Sequence, residues 1–288
     1  MDPGFRLESV SCDLCGSDQA RVVMQKRGDL WTRTFSIVRC VRCRLVYVNP
    51  RIAADQIGSL YDEAYYRGQG FDRTIDYTRD DVDDPANRAA IGRVVATLDG
   101  ALGGLRGARV LDVGCGLGTL LAGLAEAGAQ AEGLEFSAAA RAHCAQRGLS
   151  IVGDSVDDPN LPAQAYDAVT ATEVIEHVVS PTAFLRRIRE LLKPGGIFYY
   201  TTGNWHLVRR VPGTAYIMPE GHLYYFTPNT MRKYFAKVGF GVARGVNRAW
   251  IGYRGLPPAL AAAIPDPLFL ALSRAAGDLG QFPIGRRV

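Results

Sequence analysis

The sequence lacks long apolar runs: nowhere do 18 apolar residues follow one another, so we expect no membrane-spanning helix. The first residues, MDPGFRLESVSCDLC, contain no apolar stretch of the kind that a secretory signal peptide carries. Internal repeats and low-complexity tracts are also missing. These absences favour a cytoplasmic protein, in a compartment where thiols stay reduced.

The chain has little excess of either charge, because 33 basic and 29 acidic residues leave a net charge of only +4. Such a weak excess does not by itself predict nucleic-acid binding. The charge is uneven, however: residues 55–84 hold nine acids and three bases, whereas residues 205–254 hold eight bases and one acid. With 48% apolar and 22% charged residues over 288 positions, we expect a globular chain of one to two domains.

Cysteines are present in a pattern that points to metal. Cys12 and Cys15 form one C-x-x-C pair, Cys40 and Cys43 form another, and 24 residues separate the two pairs. Two such turns supply four thiolates for a tetrahedral zinc ion, with no coordination position left open for chemistry. We therefore predict a zinc site that folds residues 10–50 and takes no part in catalysis.

From Arg109 onward, short apolar segments alternate with helical ones. ARVLDVG, AQAEGLEFS, LSIVGD and IFYYTTGN have the composition of strands, and TLLAGLAEAG and PTAFLRRIRELLKPGG that of helices. This alternation predicts an α/β fold with a parallel sheet and crossover helices. We expect a zinc-binding module over 1–52, a linker or lid over 53–87, and the α/β domain over 88–288, with an apolar insertion over 249–280.

A glycine-rich loop follows the first of these strands. Asp112 is followed by Gly114, Gly116 and Gly118, and a helix begins directly after them. Such a loop lets the backbone approach a nucleotide closely, and Glu135, 23 residues after Asp112, can accept the hydroxyls of a ribose. A dinucleotide fingerprint would have glycine at position 119, where this chain has threonine. S-adenosylmethionine (SAM) therefore fits better than a dinucleotide.

Residues 88–248 resemble the class I SAM-dependent methyltransferases. The motifs VLDVGCGLG, GLEFS, Gly153-Asp154-Ser155, the segment from Tyr166 to Val178 and LLKPGG occur in the order of that family. The resemblance implies a Rossmann-like, mostly parallel seven-stranded sheet with helices on both faces, and SAM as cofactor. The residues that it assigns to SAM are Asp112, Gly114, Gly116, Gly118, Glu135, Phe136, Asp154, Ser155, Thr172 and Glu173.

The N-terminal third and a later histidine-containing segment together show a second resemblance. CDLCGS, CVRCRLVYVNPR and LYDEAYY resemble the zinc-containing methyltransferases of sugar and secondary-metabolite pathways, and Pro219 to Thr227 resembles their histidine motif. This implies transfer of a methyl group to a small-molecule acceptor, such as a sugar nucleotide or another secondary-metabolite intermediate. Whether an oxygen or a carbon is methylated stays open.

Methyl transfer usually requires a base, and histidine titrates in the right range. The chain has four histidines. We rank His222, in the histidine motif, first as the base and His177 second, and expect His143 to be a surface or packing residue. Six further residues are candidates for the acceptor site, as aromatic or phosphate-binding groups: Tyr66, Trp205, Arg209, Arg210, Tyr216 and Tyr224.

Two other functions remain open. The apolar, proline-broken segment 256–272 suits a hydrophobic acceptor (a lipid, phenol or polyketide), a homodimer contact or a membrane surface. An RNA methyltransferase whose zinc module grips RNA is a further alternative. However, the first fifty residues carry eight bases and five acids, and the next thirty are acidic, so we expect no nucleic-acid partner.

Overall fold

The computed structural model of the chain describes residues 4–72, 85–210, 214, 216–243 and 284–287. The chain divides into two compact units. Unit 1 comprises Met1–Asp80, Ile175–Leu185 and Gly203–Lys237, and unit 2 comprises Asp81–Val174, Arg186–Thr202 and Val238–Val288. The predicted insertion 249–280 lies outside the described residues, so it remains a prediction, as do the linear boundaries at 52 and 87.

In chain order, the secondary-structure elements of the described residues are β1 (Leu7–Glu8), β2 (Ala20–Arg27), β3 (Thr34–Cys40), β4 (Val46–Val48), β5 (Arg51–Ile52), a 3-10 helix (Ala54–Leu60), α1 (Glu63–Tyr66), α2 (Pro85–Leu102), β6 (Arg109–Val113), α3 (Thr119–Glu126), β7 (Gln130–Leu134), α4 (Ala138–Gln146), β8 (Ile151–Gly153), β9 (Tyr166–Thr172), α5 (Pro181–Leu191), β10 (Leu192–Thr201), α6 (Trp205–Val208), β11 (Tyr224–Tyr225), α7 (Pro228–Val238), β12 (Phe240–Ala243) and β13 (Ile284–Arg287).

Unit 1 is built on a four-stranded antiparallel sheet in the order β11-β4-β3-β2. β4 is buried along its whole length, because the short strand β11 covers its second edge. β11 belongs to the histidine motif, and Tyr224 and Tyr225 pair with Tyr47 and Val46. The histidine motif and the cysteine-containing strands therefore share one sheet.

Unit 2 contains a sheet in the order β12-β13-β10-β9-β6-β7-β8. The five strands from β10 to β8 are parallel, as the alternating pattern predicts, whereas β13 pairs antiparallel with both β10 and β12. β6 and β9 are almost fully buried, as expected of central strands in a parallel sheet that is covered on both faces. Side chains of α2 and α3, such as Leu98 and Leu124, pack on Val110 and Tyr199 of the sheet.

Within the described parts of the chain, no helix is both long and apolar enough to cross a membrane.

Candidate functional site

The glycine loop follows β6 in unit 2 and leads into α3. Gly114, Gly116 and Gly118 have φ angles of 69°, 55° and 77°, a left-handed conformation that glycine adopts at little cost. Gly118 is the N-terminal cap of α3. A Cβ atom on Gly118 would lie 2.4 Å from the Leu149 Cδ1 atom, and one on Gly114 would lie 2.7 Å from the Val174 Cγ2 atom. The loop is thus a close-fitting turn with glycines where the geometry requires them.

Glu135 lies directly after β7, and the backbone holds its carboxylate in place. The Gly116 N–H donates to Oε2 at 2.9 Å, and the Ser137 N–H donates to Oε1 at 2.8 Å. The side chain is 6% exposed. Each carboxylate oxygen can accept more than one hydrogen bond, so a carboxylate held at this position suits the two hydroxyls of a ribose.

Asp112, near the end of β6, is 1% exposed and accepts a hydrogen bond of 2.6 Å from the Thr170 hydroxyl. Burial raises the pKa of Asp112 to about 7, against the lowering effect of the Thr170 hydrogen bond. A carboxyl in this state responds strongly to a nearby cation, because a positive charge stabilises its ionised form.

The other residues predicted to bind SAM follow neighbouring parallel strands. Asp154 and Ser155 come after β8, where Asp154 is exposed, and Thr172 and Glu173 end and follow β9. Phe136 is 57% exposed beside Glu135, an unusual position for a phenyl ring. Because the carboxyl ends of adjacent parallel strands share one edge of the sheet, all these residues lie along the edge where α/β proteins bind ligands.

The four cysteines of the two C-x-x-C pairs converge in unit 1, with their sulfur atoms all within 4.8 Å of one another. The Cys12–Cys43 and Cys15–Cys40 sulfur distances are 3.4 and 3.5 Å. Sulfurs around a tetrahedral zinc lie about 3.8 Å apart, given a Zn–S bond of about 2.3 Å. The donor set and its spacing therefore fit zinc.

The two cysteine turns also match in backbone geometry. The residue after each second cysteine has a positive φ angle, 73° at Gly16 and 74° at Arg44. Gly16 N–H donates to the Cys12 carbonyl, and Arg44 N–H donates to the Cys40 carbonyl. The same turn is thus built once with glycine and once with arginine, although arginine has a steric cost in this conformation.

The two ranked histidines meet in unit 1, together with Glu176. The ring centroids of His177 and His222 are 4.5 Å apart, and one ligand-type atom from each of the three side chains lies within 4.8 Å of the others. His177 Nδ1 is 3.0 Å from the Gly221 carbonyl and 2.8 Å from the Tyr61 hydroxyl. His222 is 3% exposed and Glu176 is fully buried. The cluster therefore joins two buried proton-transfer groups to the half-buried His177.

The backbone ties the histidine segments to each other. The Glu176 carbonyl accepts the N–H groups of both Leu223 and Tyr224, and the Tyr216 hydroxyl donates to Glu176 Oε1 at 2.9 Å. The Gly203 N–H in turn donates to the Tyr216 hydroxyl at 2.7 Å. Tyr216, predicted to contact the acceptor, therefore orients a buried carboxylate beside the histidines.

The remaining acceptor candidates occupy different environments within unit 1. Tyr224 is 2% exposed and donates to the Val179 carbonyl at 3.0 Å. Trp205 is 5% exposed at the start of α6, while Arg209 and Arg210 are exposed just beyond its end. Tyr66 ends α1 and is half-buried against Tyr65. Trp205 and Arg209 share a cavity, whereas Tyr216 and Tyr224 are buried by hydrogen-bonded packing.

Sequence reasoning missed several supporting residues. Thr170 on Asp112, Ser137 on Glu135 and Tyr61 on His177 lie inside segments that resemble the family, but each acts through a contact that local sequence does not reveal. The sequence does offer a signal for Glu176, because this acid directly precedes the candidate base His177 in EVIEHV. His143 lies in α4 and is half-buried, which is compatible with a surface or packing residue.

Comparison with known proteins agrees with the fold. A family model described as a methyltransferase domain matches residues 86–244. The ubiquinone biosynthesis O-methyltransferase of Proteus mirabilis is 36% identical over 133 residues, which cover 41% of this chain and 54% of that protein. The chain thus spans about half the length of the curated relatives it matches.

Two solved structures resemble the chain over most of its length. The 1,6-didemethyltoxoflavin-N1-methyltransferase of Burkholderia thailandensis superposes with a TM-score of 0.55 at 18% identity, covering 94% of this chain and 99% of that one. The magnesium protoporphyrin IX methyltransferase of Synechocystis, solved with bound S-adenosylhomocysteine (SAH), has a TM-score of 0.51 at 20% identity, covering 82% and 98%. At these identities the likeness concerns the fold.

Proposed function

We propose that this chain, which belongs to the methyltransferase-domain family, is a SAM-dependent methyltransferase that methylates a sugar nucleotide or another small secondary-metabolite intermediate. The observation that carries this acceptor class is unit 1. Unit 1 contains cysteine pairs and a histidine motif that are both similar to those of sugar and secondary-metabolite methyltransferases. The two regions share one sheet, in which β4 pairs with β11. The comparison proteins are named for small acceptors too, in ubiquinone biosynthesis, toxoflavin and magnesium protoporphyrin.

The cofactor would lie at the carboxyl edge of the unit 2 sheet. Glu135 would accept the ribose hydroxyls, Asp154 would meet the adenine amino group, and Phe136 would cover the adenosine. Asp112, Thr172 and Glu173 would face the methionine end, while Gly114, Gly116 and Gly118 admit the cofactor close to the backbone. When bound, SAM supplies an electrophilic methyl group on a sulfonium.

His222 would act as the general base. During transfer of the methyl group, His222 would remove the proton that the acceptor atom loses. The nearby Glu176 carboxylate favours an imidazolium once the proton has arrived, because an opposite charge in a buried site stabilises it. His177, held by Tyr61 and the Gly221 carbonyl, is the second choice.

Zinc would bind Cys12, Cys15, Cys40 and Cys43 and stabilise unit 1. Metal analysis of the purified protein should find one zinc per chain, and Cys40→Ser should lower that content and the stability. A metal-free protein of unchanged stability would contradict this assignment.

Calorimetry with SAH tests the cofactor site. Glu135→Gln should weaken SAH binding at least tenfold, because the amide nitrogen cannot accept one of the two backbone hydrogen bonds and cannot accept from a ribose hydroxyl. Glu126→Gln, an exposed change at the end of α3, is the matched control and should bind normally. Equal affinity of the two variants would place the ribose elsewhere.

Transfer of a labelled methyl group tests the acceptor and the base. Sugar nucleotides should be methylated in preference to phenols, lipids and polyketides, which form the alternative acceptor class suggested by the ubiquinone and protoporphyrin enzymes. His222→Ala should lower turnover by at least about a hundredfold while SAH still binds, and His143→Ala should do neither. Normal turnover of His222→Ala would exclude His222 as the base.

A further inference from the structure

A cavity of about 480 Å³ opens on unit 1, and the residues that line it are different from those of the histidine cluster. Aliphatic side chains of β2 and β4 form one wall, and Trp205 adds an aromatic surface. Arg39, Arg44, Arg209 and His206 also line it, and no carboxylate is among the described residues around it. A cavity of this size with cationic groups on an apolar base is of the kind that holds a small anionic ligand.

The guanidinium groups around the cavity have no acidic partner among the described residues. In the parts of the chain that the structure describes, no carboxylate forms an ion pair with Arg39, Arg44 or Arg209. Arg39 also lies directly across from Arg21 in the β2–β3 register. Like charges at opposed strand positions destabilise a sheet unless something lies between or beside them to compensate.

Arg44 provides a second, independent observation. It holds a φ angle of 74° in a turn whose counterpart, after Cys15, uses glycine. A non-glycine residue in this conformation costs about 1–2 kcal/mol. The strained backbone directs a long cationic side chain to the cavity wall, where a glycine would leave none. Backbone strain of this kind is often retained where the side chain has a function.

Two further features concern the local positive potential. The cavity includes Asn229, at the start of the eleven-residue helix α7, where the helix dipole contributes a partial positive charge. Burial lowers the pKa of His206, and the charges of Arg209, Arg210 and Arg39 lower it further. The imidazole therefore reports the field of these three arginines.

We infer that this cavity binds a phosphorylated small molecule of up to about mononucleotide size, through Arg39, Arg44 and Arg209. Arginine forks match phosphate oxygens in pairs, and three of them around one cavity suit a phosphate or diphosphate group. The apolar wall and Trp205 accommodate the organic part of the ligand. The site lies within unit 1 and does not depend on the assignment of the cofactor edge in unit 2.

Calorimetry on the full chain tests the inference, with inorganic pyrophosphate, uridine 5′-monophosphate and uridine as probes. Saturating SAH is present throughout, so that a nucleotide does not enter a cofactor site. Pyrophosphate and uridine monophosphate should bind and uridine should not. Arg39→Gln and Arg44→Gly should each weaken binding at least tenfold. Arg44→Gly keeps the turn, because glycine is at ease at this φ angle.

Arg33→Gln is the matched control. Arg33 is an exposed arginine of the same hairpin, six positions from Arg39 and thus about 20 Å along an extended strand. The affinity of the Arg33→Gln variant for pyrophosphate and uridine monophosphate should stay within twofold of wild type. Pyrophosphate should also raise the pKa of His206, measured by NMR, and leave His143 unchanged.

Three results would overturn the inference. These are equal binding by Arg39→Gln and the control, binding of uridine as tight as that of its monophosphate, and affinity for single-stranded RNA that rises with its length and falls steeply with salt. The last result would assign the patch to nucleic acid.

Discussion

Glu220 shows how one side chain fixes the position of a functional loop. Its carboxylate, 1% exposed, accepts the N–H groups of three consecutive residues in the β2–β3 turn, Asp29, Leu30 and Trp31, at 2.9–3.0 Å. His222 follows two positions later. Without a charged acceptor, the three backbone donors would lose their partner, and at least one of them lies in a buried region. Glu220 thus positions the histidine loop on the hairpin.

Glu220→Ala should lower the free energy of unfolding by about 3 kcal/mol, since hydrogen bonds to a charged group contribute about 1.5–3 kcal/mol each and are not additive. Glu220→Gln keeps one acceptor oxygen and should lose about half as much. Urea denaturation of both variants measures the difference. A Glu220→Ala protein as stable as wild type would show that the three N–H groups find other partners.

The buried carboxyl of Asp112 gives the stability of the protein a pH dependence that can be assigned to one residue. Its folded pKa of about 7 exceeds the ordinary value of 3.8, so between these values the folded state holds a proton that the unfolded state has released. The stability contributed by this group is therefore present below pH 3.8 and lost as the pH rises towards 7, by about 1.4 kcal/mol per pH unit at most.

Asp112→Asn removes this titration, and its amide oxygen can still accept from Thr170. The difference in unfolding free energy between the variant and wild type should therefore shift in favour of the variant from about pH 4 to about pH 7. Urea denaturation at a series of pH values, without ligand, measures it. A difference that does not change with pH would show that Asp112 is ionised in the folded protein.

At the scale of elements, a Cβ atom would clash at some glycines of unit 2, whereas other glycines could be replaced by alanine. Gly118→Ala should destabilise the protein by about 2 kcal/mol and weaken SAH binding, because a Cβ atom would meet Leu149 Cδ1 at 2.4 Å and Cys144 Sγ at 2.9 Å at a positive φ angle. Gly100→Ala, in α2 with nothing within 4 Å, should instead stabilise it by about 0.5–1 kcal/mol. Thermal unfolding compares them, and a shift of the same sign for both variants would contradict the prediction.

Elements with strong local patterns were predictable. ARVLDVG yields β6, and TLLAGLAEAG yields α3. The strand predicted at IFYYTTGN differs, because β10 begins earlier, at Leu192, which pairs with Tyr166 before a shift of register. Pairing across a sheet sets that boundary, and local composition carries no record of it.

At the scale of the whole molecule, unit 1 could not have been foreseen. It combines three chain segments, and the contacts that join them span up to 224 residues, as between the Lys237 ammonium and the Asp13 carbonyl. Lys233 and the Cys43 carbonyl are 190 residues apart. Asp13, inside the first cysteine turn, accepts from Ser180 and Thr182 beside the start of α5. Such contacts depend on single polar groups without periodicity, so no window of sequence predicts them.

This organisation makes the effect of zinc removal spread beyond the cysteines. If zinc holds Cys12, Cys15, Cys40 and Cys43, a chelator should release the two turns and, with them, the contacts of Asp13 and of the Cys43 carbonyl. Amide hydrogen exchange should then rise together in three separate stretches, 7–52, 175–185 and 203–237, because cooperative units open as a whole.

Mass spectrometry of peptides before and after chelation measures this, with the β6 strand of unit 2 as the internal control. Exchange in Arg109–Val113 should stay slow, since its protection comes from the parallel sheet. A rise confined to residues 7–52 would mean that the cysteine turns form a module of their own, as the linear pattern predicts, and that the histidine segments keep their structure without zinc. A rise in all four stretches would mean that zinc stabilises the entire chain as one cooperative structure.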